Sequence, residues 1–493
     1  MRSPEHIARG FTAVLLARGV YMVTSAALMV ILARVFLDPD GYGLLFWSIG
    51  VLAVVQLAAD LGLGKSAARY VAEYSRTDAG QIPHLLRSVV AVKVAIVSII
   101  ALALVLGAST LASVLGEPAA APFLAAGALL VVAKSFEVFT EVIFQGANRL
   151  GYSAAVRAVS GVSRLVFAVA FVAAGFGALG AFFGYVVGYL IAAVFGMTAV
   201  YFLVYDRYEP AEVVEVGLTR RLLEYSVPLT ATRGANVLDK QIDIVLVGVI
   251  LNPAAVAFYT LAKQITDFVL APAESLGFVI SPNFGEDKAA GDIAKTRALY
   301  ERSLSNALAL YVPAAVGIVI VADPLVTTVF GADYAGAGPL LAVLSAFVVL
   351  QTITNVTSDG LDYLGRARER AIAKGTTAVV NVGLTIVLLQ SMGVLGAAIA
   401  TVCTHAVYVA VNLYVIHLEL SLRVRRLAIE CARIGAVSAV MATVVVVVVP
   451  DITSAATLVL AIVVGAGSWA ALAVASGMLE PDEIRAVVDA TVR

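Results

Sequence analysis

The sequence predicts an all-α polytopic membrane protein with fourteen transmembrane helices: two pseudo-symmetric six-helix lobes in a parallel repeat, plus two extra C-terminal helices. Three observations predict it. First, the 493 residues are 61% hydrophobic and 14% charged, with mean hydropathy +0.96. Soluble domains carry about a quarter charged residues, so lipid must solvate much of this surface. Second, apolar runs recur at the ~20-residue length that a hydrocarbon core about 30 Å thick demands. Third, short motifs repeat at an offset of about 215 residues: Arg18-Gly19 with Arg233-Gly234, Leu37-Asp38-Pro39 with Leu251-Asn252-Pro253, Leu150-Gly151 with Leu364-Gly365, and Gly177-Ala178-Leu179-Gly180 with Gly393-Val394-Leu395-Gly396. Each match is weak alone, and the shared offset is what points to duplication.

Taken in order, the runs of the first lobe (1–203) begin near residues 11, 44, 88, 121, 156 and 179. The first, Phe11 to Leu37, is too long for a signal-peptide core and reads as an uncleaved span. A polar linker, 204–225, separates it from the second lobe (226–420), whose runs begin near 226, 254, 303, 338, 371 and 394. A final pair starts near 429 and 454, within 421–478. Tight turns such as Asp38-Pro39-Asp40-Gly41 and Leu251-Asn252-Pro253 punctuate the spans. In the tail, 479–493, Ile484, Val487, Val488 and Thr491 share one face, as a small interfacial helix would place them.

Lysine and arginine set the orientation. With the N-terminus inside, most of the 33 basic residues fall in cytoplasmic segments, including Lys65, Arg69, Arg76 and Arg87, then Arg366, Arg368, Arg370 and Lys374, and later Arg423, Arg425, Arg426 and Arg433. The external turns carry Asp38, Asp40, Glu117, Asp323, Asp333 and Asp451 but no basic residue. A miscounted span would have mixed the two sets. The expectation is a multi-pass plasma-membrane protein with both termini cytoplasmic and with repeats related by an axis along the membrane normal.

Several charges lie within spans. Arg34, Lys93 and Arg164 sit near helix ends, where long side chains snorkel. Deeper ones are Arg18, Lys134, Arg233, Lys240 and Lys263, with the acids Glu137, Glu141, Asp239, Asp243 and Asp267. At about 3 kcal/mol each, these would cost roughly 30 kcal/mol facing lipid, more than the ~5–15 kcal/mol net stability of a folded protein. They therefore face protein or a water-filled cavity. Helical periodicity gathers Lys134, Glu137, Glu141 and Gln145 on one side, and Arg233, Asn236, Asp239, Lys240 and Asp243 within an arc of about 120°. Arg18 and Arg233 hold equivalent positions in the two repeats, and two converging guanidiniums suit a phosphate or pyrophosphate. The substrate-headgroup set is thus Arg18, Arg233, Lys134, Lys240 and Lys263. Asp239 and Asp243 repel across one helical turn unless a proton or cation intervenes, which with Asp267, Glu137 and Glu141 makes a set for H+ or Na+ coupling. The other reading of Lys240–Asp243 and Lys263–Asp267 is structural ion pairing. His405 is expected to be a packed, hydrogen-bonded histidine.

Other classes are excluded. A net charge of −1 gives no hint of nucleic acid, and Cys403 and Cys431 make neither a disulfide framework nor a zinc site. Asp38-Pro39-Asp40 mimics a glycosyltransferase metal motif but lies in a tight turn with no nucleotide fold around it. No Walker loop or nucleophile elbow occurs, no cofactor is implied, and no extramembrane segment is long enough for a soluble catalytic domain.

Leu32-Ala33-Arg34 through Asp38-Pro39-Asp40-Gly41-Tyr42-Gly43, Asp60-Leu61-Gly62-Leu63 before Ala68-Arg69-Tyr70, Ser226-Val227-Pro228-Leu229 with Asp243, and Phe330-Gly331-Ala332-Asp333-Tyr334 resemble the polysaccharide transporter (Wzx-type flippase) branch of the multidrug/oligosaccharidyl-lipid/polysaccharide (MOP) exporter superfamily. The resemblance implies two six-helix lobes in a V around a central cavity, and alternating-access transfer of a polyprenyl- or dolichyl-(pyro)phosphate-linked oligosaccharide from the cytoplasmic to the outer leaflet. It implies no catalytic residues, so the headgroup set rests on charge alone. The alternatives are a cation-coupled multidrug exporter of the same superfamily and a membrane-embedded polymerase or ligase of lipid-linked sugars. Five deep cations argue against the first, and short outer turns against the second.

Overall fold

The computed structural model describes the backbone over 4–215, 217–289 and 292–478. The tail 479–493, and among others the side chains of Arg233, Asn236, Asp239 and 273–289, lie outside the described residues. The described chain is all helical and falls into two compact units, Met1–Ala257 and Phe258–Arg493.

In the first unit, α1 (Pro4–Ile31) ends in a widened turn closed by Leu37 N–H to Leu32 C=O, 2.8 Å. Then α2 (Pro39–Asp60) starts on an Asp38 cap, whose carboxylate accepts from Gly41 N–H at 3.0 Å, with proline at the first helical position. Leu61 and Gly62, both left-handed, end it. Next comes α3 (Leu63–Thr77), in a segment expected from its charge to be basic and cytoplasmic. It is amphipathic rather than spanning, and buries Leu63, Ala67, Tyr70, Val71 and Tyr74 on one stripe. The remaining helices are α4 (Gln81–Val114), α5 (Ala121–Gly146), α6 (Leu150–Phe171), α7 (Gly177–Val200) and α8 (Leu218–Ile250). The closest pairing is α6 with α7, because Gly184 and Gly188 bring α7 against the backbone of Ala168 and Arg164. Small residues four apart permit this approach where water is not the driving solvent.

The polar segment before α8 is tied to this unit. Ala211 N–H donates to Gly80 C=O at 3.0 Å, Gln81 Nε2 to Val213 C=O at 2.8 Å, and the Tyr74 hydroxyl to Glu215, which also pairs with Arg221 at 2.5 Å. Burial and then the Glu215 bond push the Tyr74 phenol above its ordinary pKa.

The second unit holds most of α9 (Pro253–Ala289), then α10 (Ile293–Val329), α11 (Ala337–Tyr363), α12 (Ala367–Met392), α13 (Val394–Leu420), α14 (Val424–Val448) and α15 (Ala455–Ala475). Its core gathers Tyr300, Leu304, Leu308, Leu361, Ile416 and Leu420. His405 is packed as expected, 3.0 Å from the Thr354 hydroxyl and against Phe347.

Local conformations repeat with the sequence motifs. Asn252 caps α9 through Ala255 N–H at 2.8 Å, as Asp38 caps α2. Gly177 (φ 54, ψ −145) and Gly393 (φ 60, ψ −150) share a backbone conformation open to glycine alone. Single 3-10 turns, Pro118–Ala120 and Ala332–Tyr334, precede α5 and α11. One match needs adjustment. Arg149 N–H bonds Phe144 C=O and Arg366 N–H bonds Leu361 C=O, each at 2.8 Å after a left-handed Asn148 or Gly365. The same helix-end geometry thus occurs at Asn148-Arg149 and Gly365-Arg366, three residues out of step with the sequence match of Leu150-Gly151 to Leu364-Gly365.

Among the described residues, eleven stretches are long and apolar enough to cross a membrane, and one of them, Leu150–Tyr205, contains both α6 and α7. The long helices α8 and α9 carry the charged faces and are not among the eleven.

Candidate functional site

A pocket of about 170 Å³ opens in the first unit between α2, α5 and α8, lined by Gln56, Asp60, Lys134, Lys240 and Gln241 with Ala53, Leu57, Val138 and Val237. Helix packing builds it. The fully buried Trp47 on α2 faces Gly248 on α8 and donates its indole N–H to Val245 C=O at 3.2 Å. One turn further on, Gly50 sits against Ile244. These contacts fix α8 antiparallel to α2, so that Lys240 and Gln241 come level with Gln56. Against the other side of α2 lies α5, whose Gly127 admits the Leu52 side chain and whose Ser135 hydroxyl donates to Asp60 at 2.7 Å.

The pocket favours an anion. Among the described residues its one acid, Asp60, is already engaged: Lys93 on α4 reaches it at 2.9 Å, and both groups are buried. The described lining also carries two cations, Lys134, with its ammonium 5.4 Å from the Tyr189 ring centre, and Lys240. Gln56 is 7% exposed, and neither its amide N–H2 nor its carbonyl has a hydrogen-bond partner among the described residues. A buried, unsatisfied amide costs on the order of 1–3 kcal/mol, so a polar occupant that bonds it would recover that loss.

Two expectations are corrected here. Lys93 does not snorkel, because Asp60 holds it inside. Nor does Arg164: it is buried on α6, bonds the Tyr189 hydroxyl at 3.3 Å, and stacks with Tyr21, Tyr185 and Tyr189 at 5.0, 5.4 and 5.1 Å. Delocalised guanidinium charge is stabilised by ring faces as well as by acids. The spacing of Tyr185 and Tyr189, four residues apart, was the signal in the sequence for such a cage.

The other expected site residues are dispersed. Glu141 is buried and accepts from Arg157 Nη2 and Nε, at 2.8 and 3.2 Å, and Glu137 is buried one turn away on α5. Arg18 is half-buried on α1 and does not line the pocket. Asp243 is buried on α8. Lys263 lies over the Tyr259 ring at 6.0 Å and Asp267 is exposed, both on α9 in the second unit. Arg233 and Asp239 fall outside the described residues, so the Arg18–Arg233 pairing remains an expectation. Among the described residues, Lys134 and Lys240 are the members of the headgroup set that line one pocket. Gln56 and Asp60 line the pocket without having been expected site residues; an aspartate at the end of an otherwise apolar run was the available signal.

The model of the polysaccharide biosynthesis protein family matches residues 31–339, well over half of the chain. The chain belongs to this family. It is 21% identical over 371 residues to the probable low-salt glycan biosynthesis flippase Agl15 of Haloferax volcanii, covering 75% of each. It is 24% identical over 274 residues to the probable flippase AglR of the same organism, covering 52% of this chain and 53% of that one. Among solved structures, the lipid II flippase MurJ in an inward closed conformation superposes with a TM-score of 0.75 at 14% identity, over 94% of this chain and 98% of that one. An inward-facing multidrug resistance MATE transporter of the MOP superfamily gives 0.66 at 17% identity, over 81% and 94%. The fold of this family member is thus that of MOP-superfamily transporters.

Proposed function

We propose that the protein is a flippase that carries a lipid-linked oligosaccharide from the cytoplasmic to the outer leaflet by alternating access, for assembly of a surface polysaccharide or glycoprotein. The observation that carries this reading is the Lys134–Lys240 pocket with its unsatisfied Gln56 amide, set in a chain of this family with flippases among its relatives. In it the (pyro)phosphate linking glycan to polyprenyl or dolichyl carrier would accept from both ammonium groups and from Gln56. Charge-assisted bonds of that kind are stronger than those between neutral groups. Coupling to H+ or Na+ through buried acids such as Asp243 fits the same scheme.

The topology that goes with it has fourteen spans, α1, α2 and α4 to α15, with both termini cytoplasmic. The lobes are 1–203 and 226–420, joined by the linker 204–225 and followed by the pair in 421–478. Support comes from the matched caps, glycine conformations and 3-10 turns at offsets near 215 residues and from the basic residues collecting on one side.

The test is leaflet accessibility of a polyprenyl-pyrophosphate oligosaccharide in proteoliposomes, run beside efflux of a cationic dye. Each of Lys134→Gln and Lys240→Gln should slow flipping about tenfold, the equivalent of one lost charge-assisted bond, with unchanged expression. Dye efflux without lipid transfer would instead establish a multidrug exporter.

A further inference from the structure

Lys134 lines the pocket between α2, α5 and α8, and what holds its ammonium is a ring rather than an acid. Its Nζ lies 5.4 Å from the centre of the Tyr189 ring on α7. Among the described residues no carboxylate comes within ion-pair distance of it, and Glu137, three residues further along α5, attracts it only at longer range. An acid partner would neutralise the ammonium and occupy its N–H donors. A ring face attracts the charge and leaves it positive, with donors for a phosphate.

Tyr189 is itself held. Its hydroxyl accepts from Arg164 Nη1 at 3.3 Å, and the guanidinium lies 5.1 Å from its ring centre. Arg164 is fixed in turn by Tyr21 and Tyr185, whose ring centres are 5.0 and 5.4 Å away, and by its Nε, which donates to the Ser160 carbonyl at 3.3 Å. Two glycines permit this packing. Gly161 lets Tyr21 of α1 lie against α6, and Gly188 brings α7 so near that a Cβ there would overlap the Arg164 side chain. Arg164 does not line the pocket. Its conformation is set by α1, α6 and α7, and Tyr189 carries that order to Lys134.

We propose that Tyr189 and Arg164 are positioning residues of the anion site: Arg164 fixes the Tyr189 ring, and the ring holds the Lys134 ammonium at the pocket before any ligand arrives. This inference rests on the reading of the Lys134–Lys240 pocket as the place of the (pyro)phosphate. A free lysine loses rotamer freedom when a phosphate captures it, and that loss weakens binding. A lysine already ordered by a ring loses less. Arg164 makes no contact with the ligand, so its whole effect on affinity runs through Lys134.

The test is equilibrium binding of polyprenyl pyrophosphate to the full chain, purified in detergent, with single and double variants. Tyr189→Leu and Arg164→Gln should each weaken binding about fivefold. Tyr189→Phe keeps the ring face for Lys134 and loses only the bond to Arg164, so it should weaken binding less than Tyr189→Leu. In a Lys134→Gln background Tyr189→Leu and Arg164→Gln should lower affinity no further, because the ammonium through which they act is gone. A purely structural role would lower affinity equally in both backgrounds, and that additivity would overturn the proposal. Melting without ligand checks that each variant is folded, and the two Tyr189 variants carry the test if Arg164→Gln is not. Tyr189→Leu binding as tightly as wild type would also overturn the positioning role while leaving the pocket in place. Wild-type affinity in Lys134→Gln itself would instead remove the (pyro)phosphate reading of the pocket, and the positioning role with it.

Discussion

Lys93 and Asp60 form a buried pair at 2.9 Å, and Ser135 supplies one further bond to the same carboxylate oxygen. Desolvating two charges offsets most of their attraction, so the pair adds little net stability, whereas removing one partner strands the other. Lys93→Met is therefore expected to destabilise the protein by about 3–5 kcal/mol, and Asp60→Asn/Lys93→Met to recover most of that loss. A double-mutant cycle on detergent melting curves checks this, and a double variant as unstable as the single would refute the buried-pair account. The pair also marks what the sequence hides. Periodicity puts Lys134, Glu137 and Glu141 on one face of a helix, and the structure keeps Glu137 and Glu141 buried there. It cannot say which face of α2, α4 or α6 arrives opposite. Hence Lys93 and Arg164 read as snorkelling residues, although Asp60 lies 33 positions away and the tyrosines of the Arg164 cage come from α1 and α7. Local sequence records cost, while partners are settled by packing.

Helix ends were more legible, because caps are local. Asp38-Pro39 and Asn252-Pro253 stand out in the sequence for the reason they work in the fold: a side-chain acceptor followed by a residue with no N–H to satisfy. The glycine motifs are equally direct. Gly177 and Gly393 take φ near 55–60° with ψ near −150°, which a Cβ forbids, so Gly177→Ala and Gly393→Ala should each destabilise by about 1–3 kcal/mol, read as a fall in melting temperature. A change at only one position would break the equivalence of the two hairpins. By contrast α3 was overlooked, since a basic amphipathic helix and a basic loop have the same composition. Its tie to 204–215 also has a pH signature. Because the Tyr74 phenol is raised above its ordinary value, its protonated form is the one favoured by the fold. That contribution is complete below about pH 10, the ordinary phenol value, and is lost as pH climbs above it. Limited proteolysis within 204–215 should accelerate on the alkaline side, and Tyr74→Phe should be cleaved readily at every pH.

At the scale of the whole molecule, the parity of crossings decides the proposed parallel relation of the two repeats, because each six-span half must then begin on the same side of the membrane. Apolar length and composition alone identify eleven stretches, since Leu150–Tyr205 merges two helices and α8 and α9 are diluted by charge. Charge is what a polar, protein-lined path demands of spans, so the residues proposed to carry function are those that weaken the hydropathy signal. The topology is tested in a background lacking Cys403 and Cys431, both exposed, with single cysteines replacing Ser75, Phe176, Ala254 and Asp451. Phe176 lies between α6 and α7, Ala254 at the start of α9, and Asp451 between α14 and α15. A membrane-impermeant maleimide added to intact cells should label the last three, and should reach Ser75→Cys only after permeabilisation. Protection of Phe176→Cys would mean that α6 and α7 cross once together. Protection of Ala254→Cys would mean that α8 and α9 do not cross at all, and the parallel relation of the repeats would fall with them.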